Sequence, residues 1–385
     1  MNKVGEKVKL RREKLEKVIK KKLMNISCFS LDAEKIEGRN LENMIGVVQV
    51  PLGIAGPLKI RSSRLNRDKT QNCFIPLATT EGALVASVNR GCKVIRKSGG
   101  CEILIEEKGT TRGPVFKVKN LKEGKKIVEW LKENRKKLEK AVKETDKHTK
   151  LTEVETKMVG RNVYVRFGFN TSEAMGMNMV TMATEKIAFI VKKELGIREV
   201  ILSGNYCIDK KPSWLNFIKG RGKQVWAEVV ISRKIVKSVL KTTPEKIADV
   251  VYRKQLLGSI MSGAMGFNAH YANMIAAIFL ATGQDMAHVV EGSLGVTTAE
   301  IVNKGDLYFS IYLPDLMIGT VGGGTHLATQ KECLSILGLD KVRKGDGLRF
   351  GEIIGGAVLA GELSLTAALA SGDLAKAHQK LGRGK

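Results

Sequence analysis

Gly113-Pro114-Val115-Phe116-Lys117-Val118 opens, and Glu199-Val200-Ile201-Leu202 closes, the stretch of sequence that decides the fold. Both ends are short runs suited to strands. Between them Ile127, Leu131, Leu138 and Val142 recur at helical spacing over 122–142. Segments 151–158 and 162–169 alternate around Gly160-Arg161 as a hairpin would, and a second helix is expected over 174–193. The order β-α-β-β-α-β is that of a ferredoxin-like split unit. Inside a chain of 385 residues it reads as an inserted domain, and the whole as α+β.

Upstream, 6–24 reads as a basic amphipathic helix, and the glycine- and proline-punctuated segment 45–58 suits a short strand with close turns. Thr79-Thr80-Glu81 looks like a helix start with Glu81 in the first turn, where the dipole favours a carboxylate. Downstream, a polar crossing at 204–212 leads to a strand at 225–231 and helices at 233–240 and 245–256. The apolar segment 262–282 reads as one interior helix. A strand pair near 307–312 and 316–320 and helices at 326–337 and 352–370 complete the expected body.

Hydrophobic residues at 43% and charged residues at 27% place the chain among globular proteins and exclude a disordered or collagen-like one. The 65 Lys and Arg against 39 Asp and Glu leave a net charge of +26, which favours anionic partners without choosing among them. Six cysteines without a CxxC suggest neither a zinc ribbon nor a disulfide scaffold. The first residues lack the apolar core of an export signal, and the longest apolar runs, 274–281 and 357–360, fall short of a bilayer crossing of about 20 residues.

The glycines do not make a dinucleotide fingerprint. Gly322-Gly323-Gly324-Thr325 and Gly220-Arg221-Gly222-Lys223 both lack the G-x-G-x-x-G spacing, so a Rossmann domain is not expected. The histidines, His148, His270, His288, His326 and His378, are dispersed, without H-E-x-x-H, and no metal site is expected. Ala174-Met175-Gly176-Met177-Asn178-Met179 opens a helix either as simple methionine packing or as a start that lets a phosphate approach free N–H groups. Asp209-Lys210-Lys211 is surface decoration unless its apolar flanks force a partner on the charges. Asp285 after an apolar helix serves equally as a helix-end acceptor or a catalytic group, and His378 near a basic tail reads first as exposed.

Taken together, six segments resemble one family. They are Glu42-Asn43-Met44-Ile45-Gly46 with Gly53-Ile54-Ala55-Gly56-Pro57-Leu58, Ala78-Thr79-Thr80-Glu81-Gly82-Ala83-Leu84, Ala174 to Met179, Asp209-Lys210-Lys211-Pro212 with Asn216, Gly283-Gln284-Asp285, and Gly319-Thr320-Val321-Gly322-Gly323-Gly324-Thr325. From about residue 42 to 378 the chain resembles 3-hydroxy-3-methylglutaryl-coenzyme A (HMG-CoA) reductase, most of all the archaeal members of its first class.

The resemblance implies reduction of (S)-HMG-CoA by two NADPH to mevalonate and CoA, in the cytoplasm, by a homodimer that can pair into a homotetramer. It implies Glu81, Lys210, Asp285 and His378 as catalytic residues, with Asp285 holding Lys210 and Glu81 in one hydrogen-bonded set. It implies Arg112, Ser203, Asp209, Lys211 and Asn273 as substrate contacts. Met175, Gly176, Met177, Asn178 and Glu173 would meet NADPH, and Lys147, His148 and Lys150 its 2′-phosphate. The implied organisation is an N-terminal helical segment 1–41, a large substrate domain over 42–112 and 213–385, an inserted NADP-binding domain 113–202 and an active-site loop 203–212.

Thr171-Ser172-Glu173 and Gly372-Asp373 depart from the common pattern, and no serine follows His378 where animal members carry a phosphorylated one. A nucleic-acid platform is the competing reading of the insert. Tyr164 and Phe167 lack the paired aromatic motif it needs, and no nucleic-acid partner is expected.

Overall fold

A computed structural model describes residues 3–62, 64 and 70–372; His378 therefore lies outside the described residues. Ten strands form one connected sheet: β1 (Leu52–Ser62), β2 (Thr70–Ala78), β3 (Cys101–Arg112), β4 (Val115–Lys117), β5 (Lys150–Val159), β6 (Asn162–Asn170), β7 (Glu199–Ile201), β8 (Arg221–Ile231), β9 (Val296–Val302) and β10 (Asp306–Leu316). The chain is α+β.

β3 joins two halves. Residues 102–109 pair antiparallel with β8, which continues into β10 and β9, and β1 adds to its other side. The last three residues of β3, Thr110 to Arg112, pair instead with β6. There the strand order is β7-β4-β6, with β5 outside β6. The helices Leu121–Glu133, Arg135–Thr145 and Met177–Leu195 pack on that second part around Phe116, Ile127, Leu138, Phe167 and Ile187, all at zero exposure. The expected helix 122–142 is two helices, because Asn134 leaves helical geometry and donates its side-chain amide to the Trp130 carbonyl.

The larger half is organised by Asp346–Ser371, a helix of 26 residues, longer than the expected 352–370. It is long and apolar enough to cross a membrane by length and composition, against the sequence expectation, but 83% of its apolar window is buried inside the fold. Helix Leu84–Lys97 crosses it so closely that a Cβ on Gly91 would stand 1.9 Å from the Ala360 carbonyl oxygen. Such contact on all sides explains a helix apolar all round.

Several expectations give way. The segment 262–282 is helical only over Tyr271–Thr282, because Gly263 at φ +68 ends the preceding helix and the chain turns through 264–270. β10 pairs with β8 and β9, and 317–320 forms no strand. Helix Leu84–Lys97 starts after Ala83, whose φ is +72, so Glu81 lies in the loop ahead of it rather than in its first turn.

Candidate active site

Lys210 sits on the connection between β7 and β8 with a φ of +59, as do Asn205 at +62 and Ile208 at +50. Left-handed backbone costs a residue with a Cβ roughly 1–2 kcal/mol, so three such residues need holding. Asn216, fully buried in helix Trp214–Lys219, donates to the Ile208 carbonyl at 3.0 Å and to Asp315 Oδ2 at 2.8 Å. The Lys210 N–H donates to Glu291 Oε1 at 2.5 Å.

Beneath the loop is a buried ionic group. Arg221, at the start of β8, donates from one guanidinium nitrogen to both oxygens of Glu291 at 2.9 Å and from another to Asp209 Oδ1 at 2.9 Å. Its Nε donates to Thr111 Oγ1 at 2.9 Å. Arg221 and Glu291 are both at zero exposure. Burial works against the Arg221 charge, and the carboxylates of Glu291, Asp315 and Asp209 overcome it, raising its pKa. Burial, then the Glu291 charge, pushes the Asp315 carboxyl well above the usual range.

The Lys210 ammonium leaves this buried group and meets Asp285 Oδ2 at 2.7 Å, each side chain about a third to two-fifths exposed. Burial would raise the Asp285 carboxyl, but the Lys210 hydrogen bond, the Ala287 N–H and the His288 ring outweigh it, and the net shift is downward. Asp285 also caps the turn Met286–His288 through Ala287. The expectation of a helix-end acceptor and that of a lysine partner are therefore both met by one carboxylate.

A cleft of 640 Å³ opens beside this pair, lined by Lys210 and Asp285, by Met175, Gly176, Met177 and Asn178, and by the glycine run 322–324. Gly176 precedes helix Met177–Leu195 at φ +85, and among the described residues no side chain caps that helix. A Cβ there would meet Thr171 Cγ2 at 2.4 Å, so the backbone stays bare where it faces the cleft. The lining also includes Arg39 and Asn40, and Asn40 donates to the Gly323 carbonyl at 3.1 Å. Neither was expected from the sequence.

The remaining expected residues fall elsewhere. Glu81 is exposed and accepts from Asn273 Nδ2 at 2.9 Å. Among the described residues no hydrogen bond joins Glu81 to Lys210 or Asp285, so the expected three-residue set is two separate pairs. Glu173 does not line the cleft; its carboxylate accepts the N–H groups of Gly345 at 2.7 Å and Gly347 at 2.5 Å, holding the start of the long helix. Lys147 and His148, on the turn before β5, and Lys150, its first residue, are exposed and also lie outside the cleft lining. Ser203 and Lys211 are exposed on the loop, the Lys211 ammonium bonding the Asp209 carbonyl at 3.2 Å. Arg112 is half-buried at the end of β3, its Nε without a partner. Asp209, expected to meet substrate, is tied to Arg221.

An ion-paired lysine at a glycine-lined cleft, with an uncapped helix start in the same wall, marks a cofactor-using enzyme of acid–base type. Comparison with known proteins makes this particular. The family model described as hydroxymethylglutaryl-coenzyme A reductase matches residues 7–383, and the chain belongs to that family of oxidoreductases. A 3-hydroxy-3-methylglutaryl-coenzyme A reductase of Methanothermobacter thermautotrophicus is 51% identical over 383 residues, covering 99% of this chain and 94% of its own. That of Methanocaldococcus jannaschii is 52% identical over 380 residues, covering 97% and 92%. The chain thus groups with archaeal members of the first class. A class II enzyme of Streptococcus pneumoniae, solved bound to NADPH in open conformations, shares the fold at a TM-score of 0.67 and 18% identity, over 96% of this chain and 97% of that one.

Proposed function

We propose that the chain performs the NADPH-dependent reductive deacylation of (S)-HMG-CoA to (R)-mevalonate and CoA, within the mevalonate route to isoprenoids, with Glu81, Lys210, Asp285 and His378 as its catalytic residues. The observation that carries the reading is the Lys210–Asp285 pair at 2.7 Å in the wall of the cleft that the Gly176 helix start also lines. The uncapped backbone there suits a phosphate-bearing cofactor, since N–H groups at a helix start attract anions. NADPH, when bound, supplies hydride.

Reduction of a thioester, and then of an aldehyde, places negative charge on the carbonyl oxygen. The Lys210 ammonium stabilises that charge, and Asp285 fixes where the ammonium points. His378 gives a proton to the departing CoA thiolate, as an imidazolium does near pH 7. Glu81, oriented by Asn273, gives its carboxyl proton to the alkoxide oxygen that hydride addition to the aldehyde leaves, and the alcohol results. Arg112, Ser203 and Lys211 take the substrate's carboxylate, and Asp209 acts mainly by holding the loop through Arg221.

In the same reading, 113–202 is a ferredoxin-like, non-Rossmann NADP-binding domain, a role supported by its strand order β7-β4-β6-β5. It is inserted between parts 42–112 and 213–385 of a substrate domain, after a helical segment 1–41, with 203–212 as the active-site loop. Lys147, His148 and Lys150 bring to its surface the positive charge a 2′-phosphate needs. The active unit is a homodimer that can pair into a homotetramer, and the enzyme works in the cytoplasm. The test is NADPH absorbance with purified protein: HMG-CoA drives oxidation, NADH substitutes weakly, and absence of HMG-CoA-dependent oxidation rejects the reading.

A further inference from the structure

Resting on that reading, the buried ionic group contains a residue whose part in the reaction is unassigned. His288 is at zero exposure, and its Nδ1 lies 2.7 Å from Glu291 Oε2. A carboxylate held by Arg221 only accepts, so Nδ1 is the donor. The other ring nitrogen, Nε2, is 3.8 Å from Asp209 Oδ1 and 3.8 Å from Asp285 Oδ2, buried, and without a hydrogen-bond partner among the described residues. A neutral ring with its proton on Nδ1 would turn a lone pair toward two carboxylates. A ring with protons on both nitrogens turns an N–H toward them. The side-chain donors of Asp209, His288 and Glu291 lie within 4.8 Å of one another, as cation ligands do, but Arg221 already takes both carboxylates.

Among the described residues, charged groups approach the ring from several elements. Asp285 comes from the ring's own turn and Glu291 from the helix Val289–Gly292; Asp209 and Lys210 come from the loop, Arg221 from β8, and Asp315 stands behind Glu291 on β10. Glu291 thus holds the main chain of Lys210, while the ring it bonds stands 3.8 Å from the carboxylate that holds the Lys210 side chain.

We propose that His288, protonated on both ring nitrogens, is a positioning residue for Lys210: it joins Glu291 to Asp285 and Asp209, so that the lysine's backbone and ammonium are fixed by one unit. It touches no reacting atom. Its loss therefore lowers the rate of turnover and leaves the binding of both substrates nearly unchanged.

Two substitutions separate this from a packing role. In His288→Gln the amide nitrogen reaches the place of Nε2 and restores a donor toward Asp209 and Asp285; in His288→Asn it reaches only the place of Nδ1. We expect His288→Asn to lower kcat on the order of 10-fold, with KM for HMG-CoA and NADPH within about 2-fold, and His288→Gln to recover most of the loss. Equal kcat in the two variants, or a change confined to KM, overturns the proposal. Independently of activity, ¹⁵N NMR of the wild-type ring at pH 7 should show both nitrogens protonated, and an unprotonated Nε2 overturns it even if neither variant folds. A wild-type chain that fails to oxidise NADPH with HMG-CoA defeats the functional reading instead, and the NMR result stands apart from it.

Discussion

The two ends of the candidate site are built differently. Lys210 rests on a group of which Arg221, Glu291 and His288 are at zero exposure, whereas Glu81 is exposed and its side chain has, among the described residues, one hydrogen bond, from Asn273. Charges that deep are costly to desolvate and persist only when fully paired; an exposed amide–carboxylate contact costs little and fixes little. The lysine end is therefore preorganised by the fold of one chain. The glutamate end has no such support among the described residues, and on our reading His378 completes it.

Breaking the buried end should have the largest effect. Arg221→Met strands Glu291 and Asp209, and we expect a loss of about 3–5 kcal/mol in unfolding free energy by urea titration, against less than about 1 kcal/mol for Asn273→Ala at the exposed end. Similar losses for the two would erase the contrast. Lys210→Ala should keep the fold and lower kcat by about 10²–10⁴-fold on both HMG-CoA and free mevaldehyde, since each reduction charges an oxygen. Retained mevaldehyde turnover would remove the lysine from the second step.

The open end should respond selectively. His378→Gln should lower HMG-CoA turnover by roughly 10²-fold while sparing mevaldehyde, which releases no thiolate; equal defects on both substrates, with folding and NADPH binding intact, would end the thiolate role. Asn273→Ala should lower kcat about 10-fold or less through the lost orientation of Glu81. The smallest effect concerns pH. Because the folded Asp285 carboxyl lies below its ordinary value of about 3.9, its pairing contributes fully above that pH and is lost as pH falls through the lower folded value. The pair is partly exposed, so wild type should exceed Asp285→Asn by about 1 kcal/mol or less at pH 7, with the gap closing below about pH 4. A gap that instead widens in acid would refute the sign.

The insert was legible because its pattern is local: the alternation of 151–158 and 162–169 lies within β5 and β6, and only the break at Asn134 escaped helical periodicity. Lys210 and Asp285 were legible through long motifs, as were Met175 to Asn178. Arg221 was passed over as a failed glycine motif and His288 as a dispersed histidine, although Arg221 lies 70 positions from Glu291. Contacts at that separation leave no period to read. That Glu173 holds a helix start is illegible for a related reason, since the N–H donors to its carboxylate, Gly345 and Gly347, lie more than 170 residues away. Apolar runs counted one by one give the helix expected at 352–370 but hide the full length of Asp346–Ser371, which stays continuous through glycines that packing stabilises.

The most direct test of the account is the molar ratio of NADPH oxidised to mevalonate formed from HMG-CoA by the purified chain. Two successive reductions at one Lys210 centre give a ratio of two. A ratio of one, or NADPH oxidation without mevalonate, would contradict it.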